Sequence, residues 1–442
     1  MQIITSNCDE SPTEINQFNI GDEVRVQGFV SSIRTMKWGC FVILRCKFGF
    51  IQCVFSSEML QSITISSESY ITINGVVKSA SLKDLSLCYR NLEIDVKGII
   101  DYSQRVESPP IDLTKQHLDI NLDVDFNYRQ YSLRHARYRS IFKVKSMISH
   151  LYSQFFVNKG FTQIHSPKIV SIGAEGGADV FKLNYFEKNA FLAQSPQFYK
   201  QMMVPVFGSV FEIAPVYRAE KHNTSRHVNE YVSLDIETEL SSSMYELMEI
   251  QIEMLNYVFT ELSKRCSYEL EYLGVELPTL SEYIVLDFDD AHRLIFEKFG
   301  IDHLNSPDLA PEEERLICDY VKKQYDIDFV YIVNYPLSKR PFYTKANPDN
   351  PNKSQSFDLL FKGLEISTGG ERLSSYDDYV SSMFSKGLDH TQYKEYLDTF
   401  KCSMPRHGGF GMGLERLVST ICNLSNVKEA SLFPRDRTRI TP

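Results

Sequence analysis

Five short segments in the first hundred residues alternate between apolar and polar positions, and none of them has helical spacing. They are Val24–Ile33, Phe41–Arg45, Phe50–Phe55, Tyr70–Lys78 and Asn91–Val96. A period of two is typical of half-buried β-strands, and Gly28, Gly49 and Gly75 punctuate the series. Five strands without intervening helices predict a small barrel of the oligonucleotide-binding (OB) type at residues 21–104. The pattern alone leaves another small β-domain open.

Two later stretches repeat their apolar residues every three or four positions, which predicts amphipathic helices. The apolar residues are Ile141, Val144, Ile148, Leu151 and Phe155 in the first stretch and Leu247, Ile250, Met254 and Val258 in the second. Gly160 would end the first helix, and the second is predicted over Met244–Leu262. Before them, Ser108-Pro-Pro110 breaks the pattern, so we place a linker or hinge at residues 105–134. Residues 1–20 show no pattern and are predicted to be a flexible N-terminus.

A long-looped antiparallel hairpin is predicted in the middle of the chain. Its two strand-like runs are Val210–Arg218 and Tyr231–Glu237. Alternation places charged and aromatic side chains on shared faces, Glu212 and Arg218 in the first run and Tyr231, Asp235 and Glu237 in the second. The connecting loop adds possible donors for a polyphosphate, namely Lys221, His222, Arg226 and His227. Taken singly, an Arg–Glu pair on such a hairpin is more often a solvated surface pair.

Strand alternation is also predicted over Ser356–Arg372. It would place Asp358, Leu360, Lys362, Leu364 and Ile366 on one face and Leu359, Phe361, Gly363, Glu365 and Ser367 on the other. Residues 270–340 are predicted to be an α+β stretch, in which the sequence indicates no catalytic constellation.

Composition indicates a protein that can bury substantial cores, with 442 residues of which 43% are hydrophobic. Two or three domains are expected. No apolar run approaches the ~20 residues of a membrane span, and the first residues lack the order of a signal peptide. Nine cysteines without a Cys-x-x-Cys pair indicate reduced thiols, so we expect a cytoplasmic protein.

The net charge of −10 argues against broad, unspecific nucleic-acid binding. The charge is nevertheless uneven along the chain. Residues 21–100 carry nine Lys/Arg against seven Asp/Glu. This local excess of positive charge favours a nucleic-acid module at the predicted barrel.

The hairpin resembles the second signature of class II aminoacyl-tRNA synthetases, in its aspartyl version. The matching residues are Tyr217-Arg-Ala-Glu220, Arg226-His227 and Leu234-Asp-Ile-Glu237. The helix and the strand with Pro167, at about 141–170, resemble the first signature, and Pro405–Arg416 resembles the start of the third, at about 405–435. The resemblance covers about residues 21–442 and is to the archaeal/eukaryotic type of class IIb enzyme. It implies an α+β fold in which a mostly antiparallel sheet is flanked by helices at 135–442, with an N-terminal five-stranded OB-fold barrel.

The resemblance implies that L-aspartate is attached to tRNA(Asp) through an aspartyl-adenylate, by a homodimer that uses ATP and Mg²⁺. Whether tRNA(Asn) is also charged stays open. Stricter family members often carry Trp in the first barrel hairpin, where this chain has Ser31. That difference favours relaxed tRNA choice.

Site residues are carried over from the resemblance one by one. Those for aspartate are Glu175, Gln197, Lys200, Arg218, Asp235, Thr368 and Arg372, and those for ATP are Arg218, Glu220, Arg226, His227, Val228, Tyr231, Glu365, Gly413, Leu414, Glu415 and Arg416. Arg218, Glu365 and Arg416 would be catalytic, and Glu365 and Thr368 would carry magnesium. At the start of a predicted helix, Arg416 would meet phosphate charge where the helix amides also point.

Three barrel residues match positions that hold anticodon bases in aspartyl members: Phe41, Gln52 and Glu93. An aromatic ring can stack on a splayed base, while an amide and a carboxylate can read its pairing edge. A lone Phe on a strand is more often part of a core.

The chain departs from the family pattern in a few places. Thr368 stands where Ser is usual, Gly370-Glu371 replaces the commoner Ala-Gln, and His407-Gly-Gly-Phe-Gly resembles the asparaginyl branch. Three alternatives stay open: an asparaginyl-tRNA synthetase, an asparagine synthetase-like paralogue and a non-catalytic relative. Lys200 argues against the first and the barrel against the second. The intact Arg218, Glu365 and Arg416 argue against the third.

Overall fold

The computed structural model describes residues 18–59, 65–173, 180–221, 223–280 and 282–442. The chain divides into two compact units, residues 1–139 and 140–442. None of the described helices is both long enough and apolar enough to cross a membrane.

The first unit is built on a closed five-stranded barrel, with strand order β1-β2-β3-β5-β4. The strands are β1 Glu23–Met36, β2 Gly39–Arg45, β3 Phe50–Ser56, β4 Tyr70–Ser79 and β5 Leu92–Ser103. All five predicted strands are confirmed. The first is longer than predicted because it pairs with β2 along one half and with β4 along the other.

Alternation along each strand buries one set of side chains inside the barrel. This core includes Val26, Val30, Val42, Leu44, Ile51, Phe55, Ile71, Ile73, Val77 and Ile94. The intervening residues face outward and are half buried or exposed. Residues 105–134, predicted to be a linker, contain two short helices, α1 Leu122–Asn127 and α2 Arg129–Ser132.

The second unit is organised around an eight-stranded sheet, in the order β12-β13-β14-β15-β16-β11-β10-β6. From β13 to β10 every neighbouring pair is antiparallel. Helix α3 Ala136–Asn158, which is the first of the two helices predicted from the sequence, leads into this sheet and is followed by β6 Thr162–Gln163. A separate three-stranded sheet contains β7 Ile169–Val170, β8 Lys182–Tyr185 and β9 Lys188–Leu192. Helix α4 Gln197–Phe207 then leads to the central hairpin.

The predicted hairpin and the helix after it are confirmed as β10 Ser209–Tyr217, β11 Glu230–Glu239 and α5 Tyr245–Arg265. The next elements are α6 Ser267–Leu273, β12 Ile284–Asp287, α7 Phe288–Phe299, α8 Pro311–Tyr325 and β13 Phe329–Val333. Strands β14 Ser356–Phe361, β15 Leu364–Glu371 and β16 His407–Gly413 complete the sheet, with α9 Tyr376–Ser385 and α10 Lys394–Leu397 between β15 and β16. Helix α11 Leu414–Ile421 follows β16 directly. Short 3₁₀ turns lie at Leu337–Lys339, His390–Tyr393, Asp398–Lys401 and Val427–Ala430.

Two strand predictions are wrong. Pro167 does not lie in a strand but in the segment between β6 and β7. Ser356–Arg372 is not a single strand but a hairpin, β14–β15, which turns at Lys362-Gly363. Both turn residues have positive φ, +48° and +83°, as two-residue hairpin turns favour. The turn places Thr368 directly opposite Asp358 instead of ten residues further along one strand. The mostly antiparallel sheet with flanking helices and the N-terminal barrel confirm the predicted fold class.

Candidate active site

A cavity of about 390 Å³ lies in the second unit, over the β10–β11 hairpin and its neighbours β15 and β16. The predicted site residues that line it are Gln197, Lys200, Arg218, Glu220, Arg226, His227, Val228, Tyr231, Asp235, Glu365, Thr368, Arg372, Gly413, Glu415 and Arg416. The side chain of Leu414 is buried and does not line the cavity. Glu175 lies outside the described residues.

Two cations and two carboxylates meet at one end of this cavity, which Lys200, Arg372 and Asp235 line and the buried Glu237 does not. Lys200 Nζ lies 2.9 Å from Asp235 Oδ1 and 3.4 Å from Glu237 Oε2, and Arg372 Nε lies 2.9 Å from Glu237 Oε1. Glu237 is fully buried. Burial opposes its ionisation, but Arg372 and Lys200 outweigh burial and hold its pKa below the ordinary value. Because each cation already has an anion, the site is balanced before any substrate binds.

Backbone contacts hold the two cations in place. Arg372 donates to the carbonyl of Gly409 at 2.9 Å, and Lys200 lies 3.4 Å from that of Phe410. A side chain at Gly409 would collide with the Ile236 carbonyl, since an added Cβ would lie 2.1 Å from that oxygen. The close packing of β16 on β11 therefore needs glycine here.

A buried polar network supports this end from behind. Gln201 contacts Gln197, Tyr379, Tyr396 and His407 through hydrogen bonds of 2.8–3.0 Å. His407 Nδ1 donates to the carbonyl of Pro405 at 2.9 Å, so Nε2 is left to accept from the Gln201 amide. Burial lowers the pKa of His407, against the opposing effect of Glu237. The network therefore requires a neutral histidine.

We expect His407→Gln to weaken the acid sensitivity of the fold. The unfolded histidine takes up a proton below pH ~6.5 whereas the buried one resists it, so the wild-type protein loses stability as the pH falls through that range. The free energy of unfolding should fall by up to about 2 kcal/mol at pH 5, which is the largest effect that one histidine can have if it stays neutral in the native state. Urea unfolding at pH 7.5 and pH 5 measures it, with the exposed His165→Gln as control. An equal loss in wild type and His407→Gln would contradict this account.

Three arginines lie toward the other end of the cavity. Arg218 follows β10, Arg226 lies in the hairpin loop and Arg416 lies in the first turn of α11. Arg416 donates to the carbonyl of Glu365 at 2.8 Å, and the Arg218 guanidinium lies 5.9 Å from the centroid of the Tyr231 ring. Guanidinium groups, together with the amide end of α11, suit a bound polyphosphate.

Strand register gives the spacing between the two ends. Glu237 stands opposite Gly409 on β16, and Ser233 stands opposite Gly413, just before the helix that carries Arg416. Four residues of strand span roughly 13 Å. One ligand with a small acidic part and a phosphate part fits this distance.

Glu314, on α8, contacts the site but was not predicted from the sequence. Its carboxylate pairs with Arg226 and accepts the backbone N–H of Glu365 at 3.0 Å. Burial, with the nearby Glu365 charge, raises the pKa of Glu314 to about 7 despite Arg226. No sequence pattern indicates this pair, because Glu314 lies in an ordinary acidic first helical turn far along the chain from the hairpin.

Glu365 and Thr368 fit the predicted magnesium site. About a third of the Glu365 side chain is exposed, and it accepts a 2.9 Å hydrogen bond from Thr368 Oγ1. Its burial is outweighed by the Arg416 charge and the Thr368 hydroxyl, which lower its pKa. Mg²⁺ commonly binds one or two carboxylates together with substrate phosphates. Among the described residues there is no group of three or more His, Cys, Asp or Glu that could hold a metal by itself.

Glu415 has a structural role that the sequence did not indicate. Lys145 Nζ lies 2.6 Å from its Oε1, and the N–H of Val232 donates to Oε2 at 2.9 Å. Both carboxylate oxygens therefore tie helix α11 to α3 and β11. This anchors the helix start that carries Arg416.

The three predicted anticodon residues share the outer face of the barrel. Phe41 is on β2, Gln52 on β3 and Glu93 on β5, and all three are half buried. Gln52 Nε2 donates to Glu93 Oε2 at 2.7 Å. Phe41 is therefore not part of the barrel core, and the amide and carboxylate are already oriented together.

The chain matches known proteins over nearly its whole length. Residues 121–437 match the family model for class II tRNA synthetases (D, K and N). The aspartate–tRNA(Asp/Asn) ligase of Thermus thermophilus is 38% identical and the cytoplasmic aspartate–tRNA ligase of Homo sapiens 34%. These alignments cover 96% and 95% of this chain and 98% and 88% of the relatives.

Solved structures of asparaginyl- and aspartyl-tRNA synthetases are similar to this chain in fold. An asparaginyl-tRNA synthetase from Pyrococcus horikoshii, complexed with asparaginyl-adenylate, gives a TM-score of 0.86 at 27% identity, covering 96% of this chain and 97% of that one. The aspartyl-tRNA synthetase from Entamoeba histolytica gives 0.84 at 27% identity, covering 96% and 90%. The chain belongs to the class II aminoacyl-tRNA synthetases, and within them to the aspartyl-tRNA synthetase family.

Proposed function

We propose that this protein attaches L-aspartate to tRNA(Asp) in an ATP-dependent reaction. The observation that carries the proposal is the arrangement of the cavity. Lys200, Arg372 and their carboxylate partners lie at one end and Arg218, Arg226 and Arg416 toward the other. Support also comes from relatives that are named aspartate–tRNA ligases.

In the first step, an oxygen of the aspartate α-carboxylate attacks the α-phosphorus of ATP, and the bond to the leaving pyrophosphate breaks. No protein nucleophile takes part, so the enzyme acts by positioning and by stabilising charge. Arg218 bridges the α-phosphate and the attacking carboxylate. Arg226 and Arg416 hold the β- and γ-phosphates, with Tyr231 stacked on the adenine. His227 and Glu220 position the nucleotide.

Glu365 and Thr368 would hold Mg²⁺. The ion would supply positive charge for the phosphate oxygens in addition to that of the three arginines. Gln197 orients the amino acid, and Asp235 holds its ammonium together with Glu175. Lys200 and Arg372 donate to its β-carboxylate. In the second step, a hydroxyl of the terminal tRNA ribose attacks the aspartyl carbonyl, and AMP leaves.

We propose that Phe41, Gln52 and Glu93 contact the anticodon. Charging of tRNA(Asn) is part of the proposal, since Ser31 occupies a bulge in β1 and leaves no large side chain there. Aminoacylation of purified tRNA(Asp) and tRNA(Asn) with radiolabelled aspartate tests which of the two tRNAs the enzyme charges. Failure to charge tRNA(Asp) would overturn the proposed function, and failure with tRNA(Asn) alone would show strict tRNA choice.

We further propose a homodimer. Large apolar side chains are exposed in the second unit, at Val157, Ile169, Val206 and Phe207. Sedimentation velocity at enzyme concentrations used for assay tests this directly.

Glu93→Ala is expected to raise the KM for tRNA in aminoacylation by roughly 10-fold or more, because it removes a base contact worth ~1–3 kcal/mol. It also leaves the Gln52 amide without its acceptor. Pyrophosphate exchange without tRNA should stay within twofold of wild type. The control is Glu107→Ala, an exposed residue after the last barrel strand. An equal loss of both activities in Glu93→Ala would mean that the barrel residue is structural.

A further inference from the structure

The turn between β1 and β2 carries an exposed tryptophan. Trp38 is the one tryptophan of the chain, and 51% of it is exposed. Single exposed apolar residues are common and usually need no explanation. Trp38 differs from them in how it is held and in what lies beside it.

Backbone contacts hold the turn against the barrel. Met36 pairs with Gly39, so Lys37 and Trp38 form a two-residue connection, and the N–H of Ser57 donates to the Trp38 carbonyl at 3.1 Å. An added Cβ at Gly39 would lie 2.0 Å from the Phe55 carbonyl. The turn therefore packs against the end of β3 as closely as the backbone allows, and the indole is presented from a fixed base.

Trp38 extends the aromatic surface of Phe41. The two rings lie edge to face, with centroids 5.3 Å apart and planes at 90°. Arg34 stands directly opposite Phe41 on β1 and is exposed. Residues opposite one another in an antiparallel pair share a face, so a cation lies beside the two rings.

An exposed aromatic ring next to a cation is the usual arrangement for binding single-stranded nucleic acid. The bases stack on the ring, and the phosphates pair with Arg or Lys. In OB-folds the face of strands 2 and 3 and the loop between strands 1 and 2 are the parts that bind oligonucleotides. Trp38 lies in that loop and Phe41 on that face.

We propose that Trp38 stacks on an unpaired base of the tRNA anticodon loop, next to the bases contacted by Phe41, Gln52 and Glu93. This rests on the proposed function for the identity of the RNA. The indole provides affinity through stacking and does not discriminate between bases, because every base has a π-face.

Because Trp38 is the one tryptophan, its fluorescence reports on this site in the unmodified enzyme. We expect saturable quenching when an RNA hairpin with the tRNA(Asp) anticodon loop is added. A blunt RNA duplex of the same stem should cause none, since its bases are not available for stacking. Equal quenching by hairpin and duplex, or no quenching by either, would overturn the proposal.

Variants give a second measurement. Trp38→Ala should raise the KM for tRNA in aminoacylation about 5- to 150-fold, the equivalent of ~1–3 kcal/mol for a lost stack, and Trp38→Phe much less. The kcat and tRNA-independent pyrophosphate exchange with aspartate should not change. Leu85→Ala removes another exposed apolar side chain of the same unit and is the control.

The outcomes separate the two hypotheses. Absence of aspartate-dependent exchange in the wild-type enzyme would contradict the proposed function. Normal exchange, with a tRNA KM that Trp38→Ala leaves unchanged, would contradict only the role of Trp38. If Trp38→Ala instead shifts the sedimentation coefficient, a second copy of the chain covers the indole and the proposal fails.

Discussion

Arg218→Ala is expected to reduce aspartate-dependent pyrophosphate exchange by about 10³-fold or more. Removing one preorganised donor from a developing anion commonly lowers the rate 10²–10³-fold. The loss should be larger here, because the guanidinium is charged and can donate two parallel hydrogen bonds. The backbone of Arg218 stays in the hairpin through its hydrogen bond to the Asn229 carbonyl, 2.9 Å away. The fold should therefore survive, and the loss should appear in kcat.

Two further variants make the Arg218 result specific. Arg218→Lys keeps the charge but not the planar fork, and should restore only part of the activity. Arg293→Ala removes an exposed arginine that pairs with Asp290 on α7, and should have no effect on exchange. If Arg218→Ala exchanges within a fewfold of wild type, Arg218 does not bridge the α-phosphate.

Lys200→Met is expected to reduce aspartate activation by about 10²- to 10³-fold and to lower the free energy of unfolding by about 3–5 kcal/mol. Lys200 is 2% exposed and pairs with both Asp235 and Glu237. Without Lys200, the buried Glu237 keeps only Arg372 as a cationic partner, and the buried Asp235 keeps the hydrogen bond from the Ser233 hydroxyl. The preference for aspartate over asparagine should narrow at the same time, because one of two β-carboxylate donors is gone.

Lys168→Met is the matched control for stability. Lys168 Nζ lies 2.7 Å from the buried Glu212 in the same unit, and Lys168 does not line the cavity. Both variants should unfold more easily, but only Lys200→Met should lose exchange at temperatures where it is folded. A Lys168→Met enzyme with the same loss would show that the effect at Lys200 is structural.

Local patterns predicted the fold well because most of its elements carry their own signal. The barrel strands alternate cleanly, and the central hairpin has two apolar runs around one polar loop. The β14–β15 turn was missed because alternation does not mark it: every residue of β14 is buried, so that strand has no polar face whose pattern would change at Lys362-Gly363. A polar residue followed by glycine between two apolar runs was the available sign.

Contacts between distant segments could not be predicted in the same way. Arg226 and Glu314 are far apart in the sequence, and nothing in either segment indicates the other. Glu237 was placed on the correct face, but its pairing with Lys200 and Arg372 depends on how α4, β11 and β15 meet. That pairing gives Lys200 and Arg372 carboxylate partners of their own before an amino acid binds. Asparagine would not leave Lys200 and Arg372 without anions, so selection depends on both cations being donors that cannot accept from an amide.

The most direct test of the central claim is ATP–pyrophosphate exchange by the wild-type enzyme with each amino acid in turn. Aspartate and asparagine have nearly the same shape, so only charge and hydrogen-bond direction can separate them. Two β-carboxylate donors predict that kcat/KM for aspartate exceeds that for asparagine by at least about 10²-fold. An enzyme that activates asparagine as well as aspartate, or prefers it, would contradict the assignment.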